Sequence, residues 1–203
     1  MRLYSSETSP YARKVRVLLH ETGQSDEVEI VGVSGNPLDT QSMPLAQNPL
    51  CKLPALARDD GPAIYDSRVI CRYLDARAGG RFYPEGNRLW ETLTLEATAD
   101  GIMDAAILMV YEARIRPEDK RFPEWVEGQW GKIARALTAL NSRWMSHLNG
   151  PLDMGQIAVA CALGYLDFRH GDRKWRAGND ALADWFKKFE TRSSFAATTP
   201  PKG

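Results

Sequence analysis

The sequence predicts an α/β domain followed by an all-α domain. Strand signals are confined to about the first 80 residues, where short apolar runs alternate with turn residues. After the glycine-rich interruption at residues 79–86, only helical periodicity remains. We therefore predict an N-terminal domain at residues 1–80, a linker at 81–87 and an all-helical C-terminal domain at 88–203.

Length and composition narrow the class of protein. A chain of 203 residues with 43% apolar residues is long enough to bury a core. The 26 basic and 26 acidic residues balance, which does not favour nucleic acid or anionic lipid as a partner. The N-terminus has no apolar leader and no apolar run reaches membrane length, so we expect a cytoplasmic protein without a membrane span. The three cysteines and three histidines lack metal-ligand spacing, so we expect no metal site.

The first half of the N-terminal domain reads as strand, helix, strand. Residues 2–4 form a short strand candidate, and a helix follows with Ser9 as its N-cap and Pro10 at its first position. Residues 28–33 form the second strand candidate, and a loop follows it. We expect the charged residues of the helix to face solvent; they are Arg13, Lys14, Arg16, His20 and Glu21.

A hairpin and a helix complete this domain. Residues 53–58 and 63–65 are apolar runs on either side of the turn sequence Asp-Asp-Gly-Pro, and helical spacing begins after Asp66 and Ser67. A helix start carries unpaired N–H groups and a partial positive charge. Asp66 and Ser67 therefore either cap this helix or hold an α-amino acid. In the second case Ser67 donates to the carboxylate and Asp66 accepts from the ammonium group.

The second domain reads as helices only. Long helices are predicted from Trp90 to about Glu112 and from Glu124 to Leu148. Asp153 and Gln156 form a capping box before a nearly all-apolar helix, which we expect to be the core of the domain. A last helix surrounds residues 183–189, and the tail at 196–203 is predicted to fray.

Several of these stretches resemble the cytosolic glutathione transferases of bacteria. The resemblance rests on Pro-Leu-Cys-Lys-Leu-Pro-Ala-Leu at 49–56, Tyr-Asp-Ser-Arg-Val-Ile at 65–70, Ser9-x-x-x-Arg13 and the Asp153 box, and it runs to about residue 195. It implies a thioredoxin-like N-terminal domain, an all-α C-terminal helical bundle and a homodimer. Cys51 stands where relatives often have glycine, and Asp153 where they have Ser or Thr.

The resemblance also implies a glutathione site. The backbone of Leu53 would pair with the cysteinyl part of glutathione, and Pro54 would follow a cis peptide bond. Asp66 and Ser67 would hold the γ-glutamyl end, and Arg68 would approach the same carboxylate or the partner subunit. Lys52 and Gln41 are candidates for the glycyl carboxylate, with solvated side chains as the alternative.

For catalysis, the resemblance to serine-type members makes Ser9 the hydrogen-bond donor to the sulfur of glutathione. A simple helix cap is the alternative for Ser9, and its rivals as donor are Ser5, Ser6, Thr8 and the charge of Arg13. The electrophile site is expected to be apolar. Its candidate residues, for which helical core is the alternative, are Tyr11, Ile107, Leu108 and Tyr111.

The implied function is conjugation of the glutathione thiolate to small hydrophobic electrophiles, as in detoxification. No cofactor is expected beyond glutathione as co-substrate. Peroxidase or dehalogenase activity is a further option on the same site. The alternative from another class is a catalytically silent module that binds translation or transcription machinery. A glutathione-dependent isomerase is a third and narrower option, but the serine-rich loop lacks the Cys and Trp that follow the serines in that branch.

Overall fold

The computed structural model describes residues 1–201, which form two compact units. The first unit comprises Met1–Glu85 together with the described residues from Ser193 onward, and the second comprises Gly86–Arg192. Our predicted C-terminal domain included the segment after Ser193, which the structure instead places in the first unit. Within residues 1–201, no helix is long and apolar enough to cross a membrane.

A four-stranded mixed sheet forms the centre of the first unit. Its strands are β1 (Arg2–Ser5), β2 (Glu29–Gly32), β3 (Ala55–Arg58) and β4 (Gly61–Ile64), in the order β2-β1-β3-β4. β1 is parallel to β2 and antiparallel to β3, and β3 is antiparallel to β4. Gly61 and Pro62, predicted to lie in the turn, belong to β4. Proline is tolerated there because β4 is an edge strand.

Two helices complete the first unit's α/β arrangement. α1 (Pro10–Glu21) connects the parallel strands β1 and β2, and α2 (Ser67–Arg77) follows the hairpin. Leu3 of β1 and Leu56 of β3 are fully buried. So are Leu18 of α1 and Ile70 and Leu74 of α2. This architecture confirms the predicted thioredoxin-like domain.

The second unit is helical, as predicted. It contains α3 (Asn87–Arg114), α4 (Pro123–Arg143), α5 (Met145–Leu148), α6 (Met154–His170) and α7 (Asp180–Phe189). The helix predicted to reach Leu148 ends at Arg143, because Trp144 leaves the helical backbone region at φ −111° and ψ 0°. The short helix α8 (Ser193–Ala196) belongs to the first unit.

α6 is the buried centre of the second unit. Its capping box is confirmed, since Asp153 Oδ1 accepts from the N–H of Gln156 at 3.3 Å and Gln156 Oε1 accepts from the N–H of Asp153 at 3.1 Å. α6 runs parallel to α3. Gly155 at its start lies against Leu95, where an added Cβ would be 2.9 Å from the Leu95 Cβ. Close packing of the two helices therefore requires a residue without a side chain at this position.

The tail was predicted to fray, but it is ordered as far as the structure describes it. Thr198 is buried, and its hydroxyl donates to the carbonyl oxygens of Ser194 and Phe195, both at 3.1 Å. Ser194 donates to a carboxylate oxygen of Glu21 on α1 at 2.5 Å. Local bonding and contacts with α1 thus hold the segment. Residues 202 and 203 of the predicted tail lie outside the described residues.

Candidate functional site

Three loops of the first unit meet at one edge of the sheet. β1 and β3 are antiparallel with Tyr4 opposite Ala55, and β3 and β4 are antiparallel with Leu56 opposite Ile64. The chain after β1, before β3 and after β4 therefore leaves the sheet on the same side. The predicted residues that this register brings to one edge are Ser9, Leu53, Pro54, Asp66 and Ser67.

Ser9 caps α1. Its Oγ accepts a hydrogen bond from the N–H of Ala12 at 3.3 Å, and Pro10 occupies the first helical position. A hydroxyl that accepts a hydrogen bond still has its own hydrogen to donate. The cap is thus observed, and it leaves Ser9 chemically able to donate to a sulfur atom.

The rival hydroxyls in the same loop have other surroundings. Ser6 Oγ and Thr8 Oγ1 form a hydrogen bond with each other at 3.2 Å. Ser5 is the last residue of β1 and is buried. None of these three lies at the positive end of α1, where a thiolate is stabilised by the helix dipole.

Leu53 presents unpaired backbone groups immediately before β3. The Leu53–Pro54 peptide bond is cis, and Pro54 is buried. Neither the N–H nor the carbonyl oxygen of Leu53 has a hydrogen bond to any residue in the range 1–201. An extended peptide aligned beside Leu53 can pair with both groups in the manner of an added strand.

A buried asparagine shapes the loop that leads to Leu53. Asn48 Nδ2 donates to the carbonyl oxygen of Lys52 at 2.8 Å, and Asn48 Oδ1 accepts from the N–H of Leu50 at 3.0 Å. Cys51, whose conformation the sequence left in doubt, has a positive φ of 55°. This left-handed conformation is the one that favours the glycine of relatives.

Asp66 is the N-cap of α2 and is held ionised by its surroundings. Its Oδ1 accepts from the N–H of Arg68 at 3.0 Å, and Arg68 Nη2 donates to its Oδ2 at 2.9 Å. Burial acts to raise the pKa of Asp66, but the hydrogen bonds and charge of Arg68, with the charge of Lys14, lower that pKa below its ordinary value. The half-exposed carboxylate is therefore negative at neutral pH and can accept from an ammonium group.

Ser67 is the first residue of α2 and is buried. Among residues 1–201, its N–H and its hydroxyl have no hydrogen-bond partner. The N–H points along the start of the helix, where the dipole is positive. Ser67 thus offers two donors to an anionic group beside the negative Asp66.

Lys52 and Gln41, the candidates for the glycyl carboxylate, are both exposed. The N–H of Gln41 donates to Asp39 Oδ1 at 3.3 Å. The carbonyl oxygen of Lys52 is held by Asn48, which fixes its backbone next to Leu53. The structure therefore ties Lys52 to the site more closely than Gln41.

Arg13 was expected to face solvent, but it does not. It is buried, and its Nη2 donates to the carbonyl oxygen of Phe195 at 3.0 Å while its Nε donates to Thr198 Oγ1 at 3.4 Å. Its guanidinium carbon lies 3.7 Å from the centre of the Phe195 ring. These contacts join α1 to the C-terminal segment of the same unit.

Lys14 also contradicts the expected solvated face. Its side chain is 0% exposed, although it carries a full charge. The charge acts on Asp66, whose pKa it helps to lower. This electrostatic interaction links α1 to the start of α2.

The predicted electrophile residues are divided between the units. Tyr11 is half-buried on α1 of the first unit, and Ile107 and Tyr111 are half-buried on α3 of the second unit. Leu108, on the same helix, is exposed. In the described part of the chain, no group of three or more His, Cys, Asp or Glu side chains could hold a metal ion.

Comparison with known families decides what this arrangement is. Residues 3–82 match the N-terminal domain of glutathione S-transferase, and residues 123–188 match its C-terminal domain. The chain belongs to the glutathione S-transferase family. The family resemblance expected from the sequence is thereby confirmed, and the fold agrees with it.

This glutathione S-transferase family member is similar to other proteins along nearly all of its length. A protein of Escherichia coli K12 called uncharacterized GST-like protein YibF is 32% identical over 206 residues, covering all of both chains. A glutathione transferase family member from Pseudomonas fluorescens Pf-5 with bound glutathione is 45% identical, with a TM-score of 0.96 over 98% of each chain. A structure from the same organism with bound S-(propanoic acid)-glutathione is 45% identical, with a TM-score of 0.92 over 99% of this chain and 100% of that one.

The sequence did not reveal two residues that shape the site of this family member. Asn48 precedes a proline, and this pair is a turn signal that could have predicted its bonds to the following residues. Lys14 gave no such signal, because its partner Asp66 lies far along the chain.

Proposed function

We propose that the chain is an active glutathione transferase that joins the glutathione thiolate to small hydrophobic electrophiles. The observation that carries the proposal is Leu53, whose N–H and carbonyl oxygen are unpaired at the sheet edge where Ser67 also presents unpaired donors. The two structures of the Pseudomonas fluorescens relative, with bound glutathione and with its S-(propanoic acid) derivative, support it. They do not favour the alternative of a catalytically silent interaction module.

In this proposal glutathione lies along the edge in one orientation. Its cysteinyl part pairs with the backbone of Leu53, adding a short strand segment. Its γ-glutamyl carboxylate receives hydrogen bonds from the N–H and hydroxyl of Ser67, and its ammonium group donates to Asp66. Lys52 is the proposed partner of the glycyl carboxylate, and Arg68 adds positive charge near the γ-glutamyl end.

The chemical step needs a thiolate. With a pKa near 8.5, roughly 3% of glutathione is ionised at pH 7. A hydrogen bond from Ser9 and the positive end of α1 each stabilise the thiolate by about 1 to 2 kcal/mol, and about 1.4 kcal/mol corresponds to one pKa unit. The thiolate sulfur then forms a bond to the electrophilic carbon, and the leaving group departs with the bonding electron pair.

The serine-type assignment is part of this proposal. It is supported by the position of the Ser9 hydroxyl at the start of α1, and by the hydrogen bond that engages Ser6 with Thr8. Arg13 is disfavoured as the group that stabilises sulfur, because it is buried and directs Nε to Thr198 and Nη2 to the Phe195 carbonyl.

Titration calorimetry with glutathione tests the binding half of the proposal. Ser67→Ala removes one charge-assisted hydrogen bond, which is worth about 1.5 to 3 kcal/mol, so the dissociation constant should rise about 10- to 100-fold. Ser146→Ala on α5, an exposed serine outside the site, is the matched control and should bind as the wild type does. Absence of any binding by the wild-type protein would refute the proposal.

A homodimer is also proposed. Trp90 near the start of α3 is 67% exposed and Val69 on α2 is 47% exposed. Both side chains are apolar and would be stabilised by a partner that removes them from water. We propose that the twofold interface uses these two helices, so that an isologous contact involves both helices of each copy.

A further inference from the structure

The last turns of α3 and α6 bring two arginines and two tyrosines together in the second unit. Tyr111 and Arg114 lie one turn apart on α3, and Tyr165 and Arg169 lie one turn apart on α6. His170 anchors the end of α6 beside α3 by donating from Nε2 to the carbonyl oxygen of Ala106 at 3.0 Å. We call the four residues Tyr111, Arg114, Tyr165 and Arg169 the Arg–Tyr cluster.

The Arg–Tyr cluster carries positive charge without a carboxylate. Arg114 and Arg169 form no ion pair within residues 1–201, and the buried Nε of Arg169 has no hydrogen-bond partner there. Four other arginines of this unit each have an acidic partner. The pairs are Arg88 with Asp153, Arg116 with Glu112, Arg173 with Glu127 and Arg176 with Asp167.

The electrostatics of the cluster reflect burial and the proximity of two like charges. Burial, and then the like charge of Arg114, lower the pKa of Arg169. Burial raises the pKa of Tyr165 to about 12 although both arginines act to lower it. The Tyr165 hydroxyl therefore stays protonated at physiological pH and can donate a hydrogen bond.

The geometry of Arg169 suits a planar anion. Its guanidinium carbon lies 3.8 Å from the centre of the Phe168 ring, and that ring contacts Tyr165 edge-on with centroids 6.5 Å apart. Stacking fixes the plane of the guanidinium, which shares one hydrogen bond with the Tyr165 side chain and has no partner at its Nε. Two parallel N–H groups match the two oxygens of a carboxylate.

The helix dipole alone does not explain the cluster. Cations are favoured in the last turn of a helix, and Arg114 and Arg169 both occupy such turns. Arg143 does the same at the end of α4, where it is exposed to water. The dipole gives no reason for burying Arg169 Nε without an acceptor beside a second guanidinium.

We propose that the Arg–Tyr cluster binds a small aromatic carboxylate. Ile107 lies one turn before Tyr111 on the same face of α3 and is half-buried, so it offers apolar contact for the body of such a molecule.

Titration calorimetry with two matched ligands, 3,5-dinitrobenzoate and 3,5-dinitrobenzamide, tests the proposal. The wild type should bind the benzoate more tightly than the amide. Arg169→Gln should raise the dissociation constant for the benzoate about 10- to 100-fold, the value of one charge-assisted hydrogen bond. The dissociation constant for the amide should change less than about threefold, because that ligand has no charge to lose.

Arg143→Gln, the matched charge control, should leave both dissociation constants unchanged. Arg169→Lys keeps the charge but loses the planar fork, so its dissociation constant for the benzoate should be intermediate, and thermal unfolding checks that each variant is folded. Equal binding of acid and amide by the wild type, or equal changes for the two ligands in Arg169→Gln, would overturn the carboxylate site. The titration needs no turnover, so failure of the proposed transferase function would leave this test unaffected.

Discussion

Ser9 combines two tasks in one hydroxyl, and the two can be separated by substitution. As an acceptor it caps α1 by binding the N–H of Ala12 at 3.3 Å. As a donor it is proposed to hold the thiolate of glutathione. Alanine would remove both functions, with about 1 kcal/mol lost from the cap alone. Glycine at an N-cap costs only a few tenths of a kcal/mol, so it removes the donor while nearly preserving the helix.

Ser9→Gly should therefore bind glutathione but make the bound thiol about tenfold weaker as an acid, because the loss of about 1 to 2 kcal/mol raises its pKa. Thiolate absorbance, followed as a function of pH in the glutathione complex, measures this. Ser9→Thr retains the hydroxyl and serves as the matched control. An unchanged thiol pKa in Ser9→Gly would move the role to another group.

Asp66 shows how neighbouring charges prepare a residue for its ligand. Burial alone would favour the neutral acid, which cannot attract an ammonium group. Arg68 and Lys14 reverse that preference and lower the pKa of Asp66. Because the folded-state pKa is below the ordinary value, the carboxylate remains charged through the neutral range and loses its charge only as the pH falls through that lowered pKa.

Helix α1 is held by the C-terminal segment near both of its ends. Arg13 binds the carbonyl of Phe195 and stacks on its ring, and Ser194 binds Glu21. The C-terminal segment thus fixes the helix whose first turn carries Ser9. Arg13 is in this sense a positioning residue.

Arg13→Met should lower the thermal unfolding midpoint by about 4 to 8 °C. It removes a buried, charge-assisted hydrogen bond worth about 2 kcal/mol, although the Phe195 carbonyl keeps the bond from the Thr198 hydroxyl. Thr198→Val removes the longer of the two Arg13 contacts and the neutral bonds of the Thr198 hydroxyl. It leaves the charge-assisted bond between Arg13 and Phe195 in place, so it should lower the midpoint less. If Arg13→Met melted as the wild type while the pKa of bound glutathione rose, Arg13 would act on sulfur instead.

Across the whole chain, features with local causes were predictable and those with distant causes were not. The succession of strands and helices in the first unit, the cap at Ser9 and the box at Asp153 depend on neighbouring residues, and the structure contains them. The break at Trp144 was missed because apolar spacing continues through it. The burial of Arg13 depends on a partner 182 residues away, which no local pattern can reveal.

The molecular mass of the protein in solution tests the proposed homodimer directly. Light scattering after gel filtration should give twice the 22.7 kDa of one chain. Trp90→Glu places a charge where an apolar side chain that is 67% exposed would be covered by the partner, so it should yield a monomer. Phe122→Glu is the matched control, since Phe122 is similarly exposed at 58% but lies outside the two interface helices. A wild-type monomer would contradict the homodimer. A dimer that survives Trp90→Glu but not Phe122→Glu would contradict this interface, because the apolar surface that drives association would then lie elsewhere.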